Sequence, residues 1–287
     1  FEAQKLHLLF QATYYLNSGN YKSAIRYYQE LINLFNDNQH LILNPPIYYL
    51  SAIQGILDSL CIAGLYHETP FFLSKLEELT QNEYSTEFIL HLKTLIYIYK
   101  SNSLLQAGNF EQALELRDKQ ENELLKKVTS LGLESQLRLY LSFAVLGMYT
   151  KDYVQARKYM KKIFSLGKLF CAFPSYKIAR LVNLLLQAEL GNYDFFENEI
   201  ISIKRNIRFE KQTYITEKLI FKFIQGYPFP SYEKARNKRW LQYQKDIQKI
   251  EQDKYERQLL KTFDVLAWIE SKLTQRSLAD ILAEKAH

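Results

Sequence analysis

The chain has 287 residues and a formal net charge of +6, and it is 47% hydrophobic and 15% aromatic. This apolar content excludes a disordered chain, and 9 Gly and 6 Pro are too few for the frequent turns of an all-β protein. No apolar run approaches the ~20 residues that cross a bilayer, so the composition predicts an all-α protein with no membrane segment.

Helical spacing of apolar residues begins at the amino terminus. One stripe precedes the Gly19-Asn20 turn and a second follows it, which predicts an antiparallel helix pair. The first stripe contains Leu6, Leu9, Phe10, Thr13 and Leu16, and the second contains Tyr21, Ala24, Ile25, Tyr28, Leu31, Ile32 and Phe35. Pro45-Pro46 and Thr69-Pro70 then start a third and a fourth helix, because proline is tolerated in the first helical turn.

Three further helix pairs are predicted at 85–107 with 109–129, 133–150 with 152–166, and 174–190 with 192–205. After a lone helix at 212–225, Gly and Pro cluster in residues 226–230 and should break the register. A polar helix from about Ser231, a long helix through Trp268 and a short helix from Ser277 complete the chain. We therefore predict a helical array over 1–225 and a C-terminal helical cap over 226–287 that is continuous with it and anchored by Trp268.

An aromatic residue follows a short turn five times, at Tyr21, Tyr66, Phe110, Tyr153 and Tyr193, with gaps of 45, 44, 43 and 40 positions. Such a period indicates stacked units, each too small to bury its own apolar face. A small residue follows three places after the aromatic in three units, at Ala24, Ala113 and Ala156. Another, at Ala12, Ser101 or Ala144, precedes the turn where two helices should approach closely.

The segment Gly19-Asn20-Tyr21-Lys22-Ser23-Ala24 resembles the inter-helix turn and second helix of a tetratricopeptide repeat. Gly108-Asn109-Phe110 and Lys151-Asp152-Tyr153 fit the same pattern more loosely, and the 40–45-residue period exceeds the family's usual 34. The resemblance covers roughly residues 5–206 and extends to uncharacterised bacterial repeat proteins. It implies an α-α superhelix, a solenoid of antiparallel helix pairs.

The resemblance also implies a function, namely a non-catalytic scaffold or adaptor that binds a protein or peptide along a concave face. The alternative is the sensor part of a larger bacterial regulator with a further domain upstream of Phe1. In the family geometry the first helix of each pair lines the concave side. The candidate partner-binding residues are therefore Tyr14, Asn17, Tyr97, Lys100, Asn102, Arg138, Tyr140, Arg180 and Asn183.

Basic residues concentrate in the second half, because residues 1–150 carry a net charge of −4 and residues 151–287 a net charge of +10. The excess is compatible with solvated helix faces, with docking of an acidic protein, or with a nucleic-acid contact, although no nucleic-acid-binding motif accompanies it. The candidate basic surface comprises Lys204, Arg205, Arg208, Lys234, Arg236, Lys238 and Arg239.

No motif for catalysis or cofactor binding is present, and neither a metal nor a cofactor is expected. Glu87 with His91, and Cys61 with His67 and Glu68, could each supply two metal ligands, but no second ligand pair accompanies either. The two isolated cysteines, Cys61 and Cys171, suggest a reducing compartment, so we expect a cytoplasmic protein.

Overall fold

A computed structural model describes residues 1–42, 44–167, 173–210, 214–227, 229 and 231–286, with the backbone alone for 206–210 and 286. Throughout these residues the regular structure is helical, without a strand, as the composition predicts. Short 3-10 turns accompany the α-helices. The α-helices are α1 (Glu2–Asn17), α2 (Tyr21–Asp37), α3 (Ile47–Ala63), α4 (Thr69–Leu79), α5 (Thr86–Gln106), α6 (Phe110–Lys126), α7 (Leu133–Tyr149), α8 (Tyr153–Ser165), α9 (Pro174–Glu189), α10 (Asp194–Glu210), α11 (Ile215–Ile224), α12 (Glu233–Gln252), α13 (Arg257–Leu260), α14 (Val265–Thr274) and α15 (Leu278–Ala286).

The chain forms two compact units, and α5 and α6 each contribute residues to both. Unit 1 comprises residues 1–103 and 115–132, with residue 286, and unit 2 comprises residues 104–114 and 133–285. The predicted cap belongs to the same compact unit as α7 to α11. Its continuity with the whole array stays a prediction. The predicted helix starts at 174 and near Thr69-Pro70 coincide with the observed starts of α9 and α4.

Consecutive helices pack side by side within unit 1. The hydroxyls of Thr13 in α1 and Tyr28 in α2 lie 3.5 Å apart, and the rings of Tyr15 and Tyr27 stack at 5.3 Å. Lys93 near the start of α5 forms a 2.5 Å ion pair with Glu123 near the end of α6, as an antiparallel pair requires. The predicted inward stripe of α2 is confirmed, since all its members are buried except the half-buried Ile25.

The predicted apolar stripe of α1 is wrong in part. Leu6 and Phe10 are 52% and 68% exposed, and the buried side chains are instead Lys5, Leu8 and Ala12. The apolar residues of α1 are distributed around its whole circumference, so their spacing does not identify one inward face. The buried ammonium group of Lys5 is compensated by an ion pair with Glu2 at 2.5 Å and lies 4.6 Å from the centroid of the Tyr48 ring.

In unit 2, α7 and α9 are buried around nearly their whole circumference. Residues 139–149 of α7 and 178–186 of α9 are all buried. Around them pack α8, α10 and α11, and α12 packs against α11 and α14. Trp268 of α14 is buried against Phe223 and Phe263, with ring centroids 5.5 and 6.4 Å away, which confirms it as an anchor of the C-terminal helices.

The predicted long helix through Trp268 is wrong, because the chain turns at two aspartates. The Asp253 carboxylate accepts hydrogen bonds from the backbone N–H of Tyr255 and Glu256, at 2.7 and 3.2 Å. The Asp264 carboxylate accepts one from Ala267 at 2.9 Å and begins α14. Side chains of this type satisfy free N–H groups at a helix start and so interrupt a longer helix.

All five repeat turns share one backbone feature, a residue in the left-handed region. Gly19, Gly64, Gly108 and Gly191 have φ between 74° and 78°, and Lys151 has φ 61° at the fourth turn. A left-handed residue at a helix end redirects the chain, and glycine adopts this conformation without a Cβ clash. This shared geometry confirms that the five aromatic positions mark equivalent turns.

Close helix contacts also explain the small residues. Ala24, Ala113 and Ala156 have no exposed surface, and neither do Ala12, Ser101 and Ala144, so the predicted small positions are confirmed as buried. A Cβ added to Gly147 of α7 would lie 2.8 Å from the Asp152 carbonyl oxygen and 2.9 Å from the Ala156 nitrogen. The α7–α8 contact therefore depends on a glycine that the repeat pattern did not identify.

We expect Gly147→Ala to destabilise the protein by about 1–3 kcal/mol, because the new methyl group would push α8 away from α7. Urea unfolding followed by circular dichroism would measure the change. Gly132→Ala is the matched control, since a Cβ there meets nothing within 4 Å. Equal stability of the Gly147 variant and the parent chain would contradict the close contact.

We expect Lys151→Gly to stabilise the fold by about 0.5–1 kcal/mol. Relief of the left-handed penalty, about 1–2 kcal/mol for an L-residue, outweighs the extra entropy of glycine in the unfolded chain. Lys161→Gly, at an exposed interior position of α8, should instead destabilise by about 1 kcal/mol. A loss of stability in the Lys151 variant during urea unfolding would show that this turn gains from its side chain.

Candidate functional site

An open cleft of about 810 Å³ lies within unit 2. It falls within the ~300–1,000 Å³ typical of ligand sites. The start of α6, the α7–α8 turn, α14 and the α14–α15 turn form its walls. The lining residues are Phe110, Glu111, Leu114, Met148, Tyr149, Thr150, Lys151, Tyr153, Trp268, Ser271, Lys272, Gln275, Arg276, Ser277, Leu278 and Ala279.

Two unusual backbone positions border this cleft. Among the described residues, Lys151 and Gln275 are the non-glycine residues with positive φ, at 61° and 60°, and both line the cleft. At Gly108 the backbone lies close to that of Ala279, because a Cβ at this position would be 2.5 Å from the Ala279 carbonyl oxygen. Unfavourable backbone conformations of this kind concentrate at functional sites, which makes the cleft the leading candidate.

The carboxylate of Glu189, at the end of α9, fixes one side of the cleft. Tyr153 donates its phenol hydrogen to Oε2 at 2.6 Å, and Tyr227 donates to Oε1 at 3.0 Å. Lys272 Nζ lies 2.8 Å from the same carboxylate and 5.2 Å from the centroid of the Trp268 ring. Two of these donors, Tyr153 and Lys272, also line the cleft, so the network sets the position of its wall.

Burial is the main cause of the raised pKa of both phenols. At Tyr153 the hydrogen bond and negative charge of Glu189 add to burial and raise the pKa above 10.0. At Tyr227 the charge and hydrogen bond of Glu189 act in the same direction. Both phenols therefore remain protonated donors at physiological pH.

The cations of the cleft differ in how they are held. Lys272 is paired with Glu189, and Arg276 contacts Glu270 at 3.2 Å and also pairs with Glu284. Lys151 is exposed and has no ion pair within the described part of the chain. Its ammonium group is therefore available to an anionic group of a ligand.

The five predicted partner-binding residues of unit 1 lie in different environments. Tyr14 and Asn17 on α1 are exposed, Asn102 is half-buried, and Lys100 forms an ion pair with Glu77 of α4. Tyr97 has no exposed surface. The binding role of these residues stays a prediction, and Tyr14 and Asn17 offer the most accessible surface.

The four predicted residues of unit 2 are largely enclosed. Tyr140 is buried and stacks on Tyr159 at 6.2 Å, and Arg138 is half-buried. Arg180 is buried and donates to Glu199 at 2.7 Å and to Ser202 at 2.9 Å, while buried Asn183 accepts a hydrogen bond from Gln187 at 3.2 Å. None of the nine predicted residues lines the cleft.

The predicted basic surface separates into two arginines that hold the fold and a set of exposed cations. Arg236 is buried and donates to the Ser231 carbonyl oxygen. Arg239 donates to the Gly226 carbonyl oxygen at 2.8 Å and lies over the Phe229 ring. In contrast, Lys204, Arg205, Lys234 and Lys238 are exposed, and the side chain of Arg208 lies outside the described residues.

Within the described ranges, no group of three or more His, Cys, Asp or Glu side chains could hold a metal ion. Among the helices described, none is long and apolar enough to span a membrane. No protein-family model, curated protein or solved structure matches the chain. The cleft is therefore interpreted from its own geometry.

Replacement of both Tyr153 and Tyr227 by Phe should change the alkaline stability of the protein. Because their pKa values are raised on folding, their contribution is complete below pH 10 and is lost as pH rises above it. The double variant should be less stable at neutral pH, because two hydrogen bonds are lost. Above pH 10 its free energy of unfolding should fall less steeply with pH, because each phenol removed lowers the number of protons released on unfolding by up to about one.

Urea titrations at several pH values between neutral and about 11 would measure these slopes. The control is Tyr14→Phe with Tyr232→Phe, whose side chains are 57% and 66% exposed. Unchanged alkaline slopes in the Tyr153 and Tyr227 variant would show that folding does not raise the pKa values of these phenols.

Proposed function

We propose that the chain is a non-catalytic module that binds an extended segment of another protein in the unit 2 cleft. The conformation of Lys151 carries this proposal. Four of the five equivalent turns have glycine at the left-handed position, whereas the fourth has a lysine whose side chain lines the cleft and has no ion pair in the described ranges. The left-handed conformation is unfavourable for lysine, so its presence at this turn needs an explanation. Contact between its ammonium group and a ligand would supply one.

The lining suits a peptide better than a small polar metabolite. Phe110, Leu114 and Leu278 supply apolar surface. The exposed Ser277 hydroxyl can donate to a peptide backbone or accept from it, whereas Ser271, which donates to the Trp268 carbonyl oxygen at 2.8 Å, can accept. Lys151 would then select an acidic side chain of the bound segment. The open form of the cleft would let a continuous chain enter and leave.

Four ionisable residues of the cleft, Tyr149, Tyr153, Lys272 and Arg276, favour binding over catalysis. Lys272 and Arg276 are each held by carboxylates, and Tyr153 and Tyr149 have raised pKa values because of burial. A general base or nucleophile would need an activated side chain, and pairing and burial oppose this at all four residues. We therefore infer an adaptor role.

We further propose that the helix pairs are long, tetratricopeptide-like repeats of a cytoplasmic bacterial protein. The equivalent turns and the buried alanines support this family resemblance. Tyr14 and Asn17 in unit 1, and the half-buried Asn102 and Arg138, remain candidates for additional partner contacts.

The test is selection of short peptides from a displayed random library on the immobilised full chain, followed by calorimetric titration of the selected sequences. Lys151→Gly removes the side chain and retains the turn, so we expect about tenfold weaker binding from a protein that is at least as stable. Lys161→Ala, which changes an exposed lysine outside the cleft, should bind like the parent chain.

A second variant tests the apolar part of the cleft. Leu114→Ala should also weaken binding of the selected peptides, because Leu114 is only half-buried and lines the wall. If no peptide is recovered, or if the Lys151 and Leu114 variants bind as tightly as the parent chain, the cleft is not the binding site.

A further inference from the structure

We propose that a row of lysines on α12 docks an acidic, amphipathic segment of a partner protein. The row consists of Lys234, Lys238, Lys245 and Lys249, all of them exposed. None of these residues lines the cleft, so this surface is separate from the one in the proposed function.

The four lysines share one face of the helix. At 100° per residue their positions fall within an arc of about 60°, and from the first to the last they extend along about 22 Å of the helix axis. The acidic residues of α12, which are Glu233, Asp246 and Glu251, lie about 90° or more from the centre of this arc. The row therefore presents a straight, positively charged surface.

These charges have no counterpart within the described residues, where none of the four lysines forms an ion pair. The neighbouring arginines differ, because Arg236 and Arg239 donate to backbone carbonyl oxygens. Like charges four residues apart, as at Lys234 with Lys238 and Lys245 with Lys249, destabilise a helix slightly. An acidic partner would remove this repulsion and steer association.

Leu241 gives the row an apolar centre. It is 67% exposed and lies between Lys238 and Lys245, at the edge of the same arc. A partner with acidic side chains around an apolar one would match both features, as an amphipathic helix does. Nucleic acid fits less well, since sequence-tolerant strand binding uses exposed aromatic rings, and Trp240 is half-buried on the other side of α12.

The test uses the full chain and two synthetic helical peptides of about 18 residues. The first carries Glu at the spacing of the four lysines and a central Leu, and the second has the same composition with the Leu moved to the opposite face. Fluorescence anisotropy would measure the affinity for each, with duplex DNA as a third probe. We expect the first peptide to bind most tightly.

Two matched charge-reversal variants identify the surface. Replacing Lys234, Lys238, Lys245 and Lys249 by Glu should weaken binding of the first peptide about tenfold or more. Replacing Lys22, Lys126, Lys127 and Lys161, which are also exposed, changes the net charge equally and should have a much smaller effect. Leu241→Ser should weaken binding several-fold without a change in the circular dichroism spectrum.

Three outcomes would overturn the proposal. Equal losses in the two charge-reversal variants would show that net charge alone attracts the peptide. Equal affinity for the two peptides, or an unchanged Leu241→Ser variant, would show that the row has no apolar centre. Tighter binding of duplex DNA with a steep salt dependence would assign the row to nucleic acid. Lys151→Gly, in the cleft, should leave peptide binding to the row unchanged, so this proposal and the cleft proposal can fail independently.

Discussion

The arrangement of unit 2 depends on one largely enclosed carboxylate, that of Glu189, whose side chain is 11% exposed. It joins the first residue of α8, the end of α9, the segment after α11 and the last turn of α14, through Tyr153, Tyr227 and Lys272. A charged group with little contact to water is tolerated only when hydrogen bonds and an opposite charge replace its hydration. Two phenols and an ammonium meet this requirement together. Four segments that are distant in sequence must therefore converge on one point, and their convergence places a wall of the cleft.

Burial of α7 and α9 is the second constraint. Because helices pack around them on nearly all sides, their polar residues form internal contacts, as Arg180 does with Glu199 and Ser202. The accessible part of unit 2 lies instead at the turns, where Lys151 and Gln275 hold left-handed conformations beside the cleft. Binding residues commonly lie in turns that rigid helices hold in place, because loops tolerate sequence variation that a packed core does not. The cleft and the lysine row of α12 are the two surfaces of unit 2 that we propose for partner recognition.

Much of the fold could be predicted from local signals. Glycine or asparagine at a turn, proline in a first helical turn and a buried alanine three residues after an aromatic each act within a few residues, so the starts of α4 and α9 and the repeat turns were correct. The errors arose where local signals were ambiguous. In α1 the apolar residues are distributed around the whole helix, so they do not identify the buried face. Near the carboxyl terminus, side-chain caps at Asp253 and Asp264 divide a segment that the apolar spacing predicts as one helix. The sequence did not predict the cleft as the candidate site, although one repeat turn has Lys151 where the other four have glycine, and this difference can be seen in the sequence.

The sequence by itself determined the helical class, the repeat period and the positions of the turns, because these follow from periodicity and backbone preference within short segments. Only the tertiary structure decided which charges are internal and which are free. Arg236 and Lys238 are two residues apart in one basic helix, yet one bonds a carbonyl oxygen and the other faces water. The cleft was likewise decided by contacts between distant residues, such as Tyr149 with Asp264 and Glu189 with Lys272, which lie 115 and 83 positions apart. Long-range pairs depend on how helices pack against each other, and no short stretch of sequence specifies that packing.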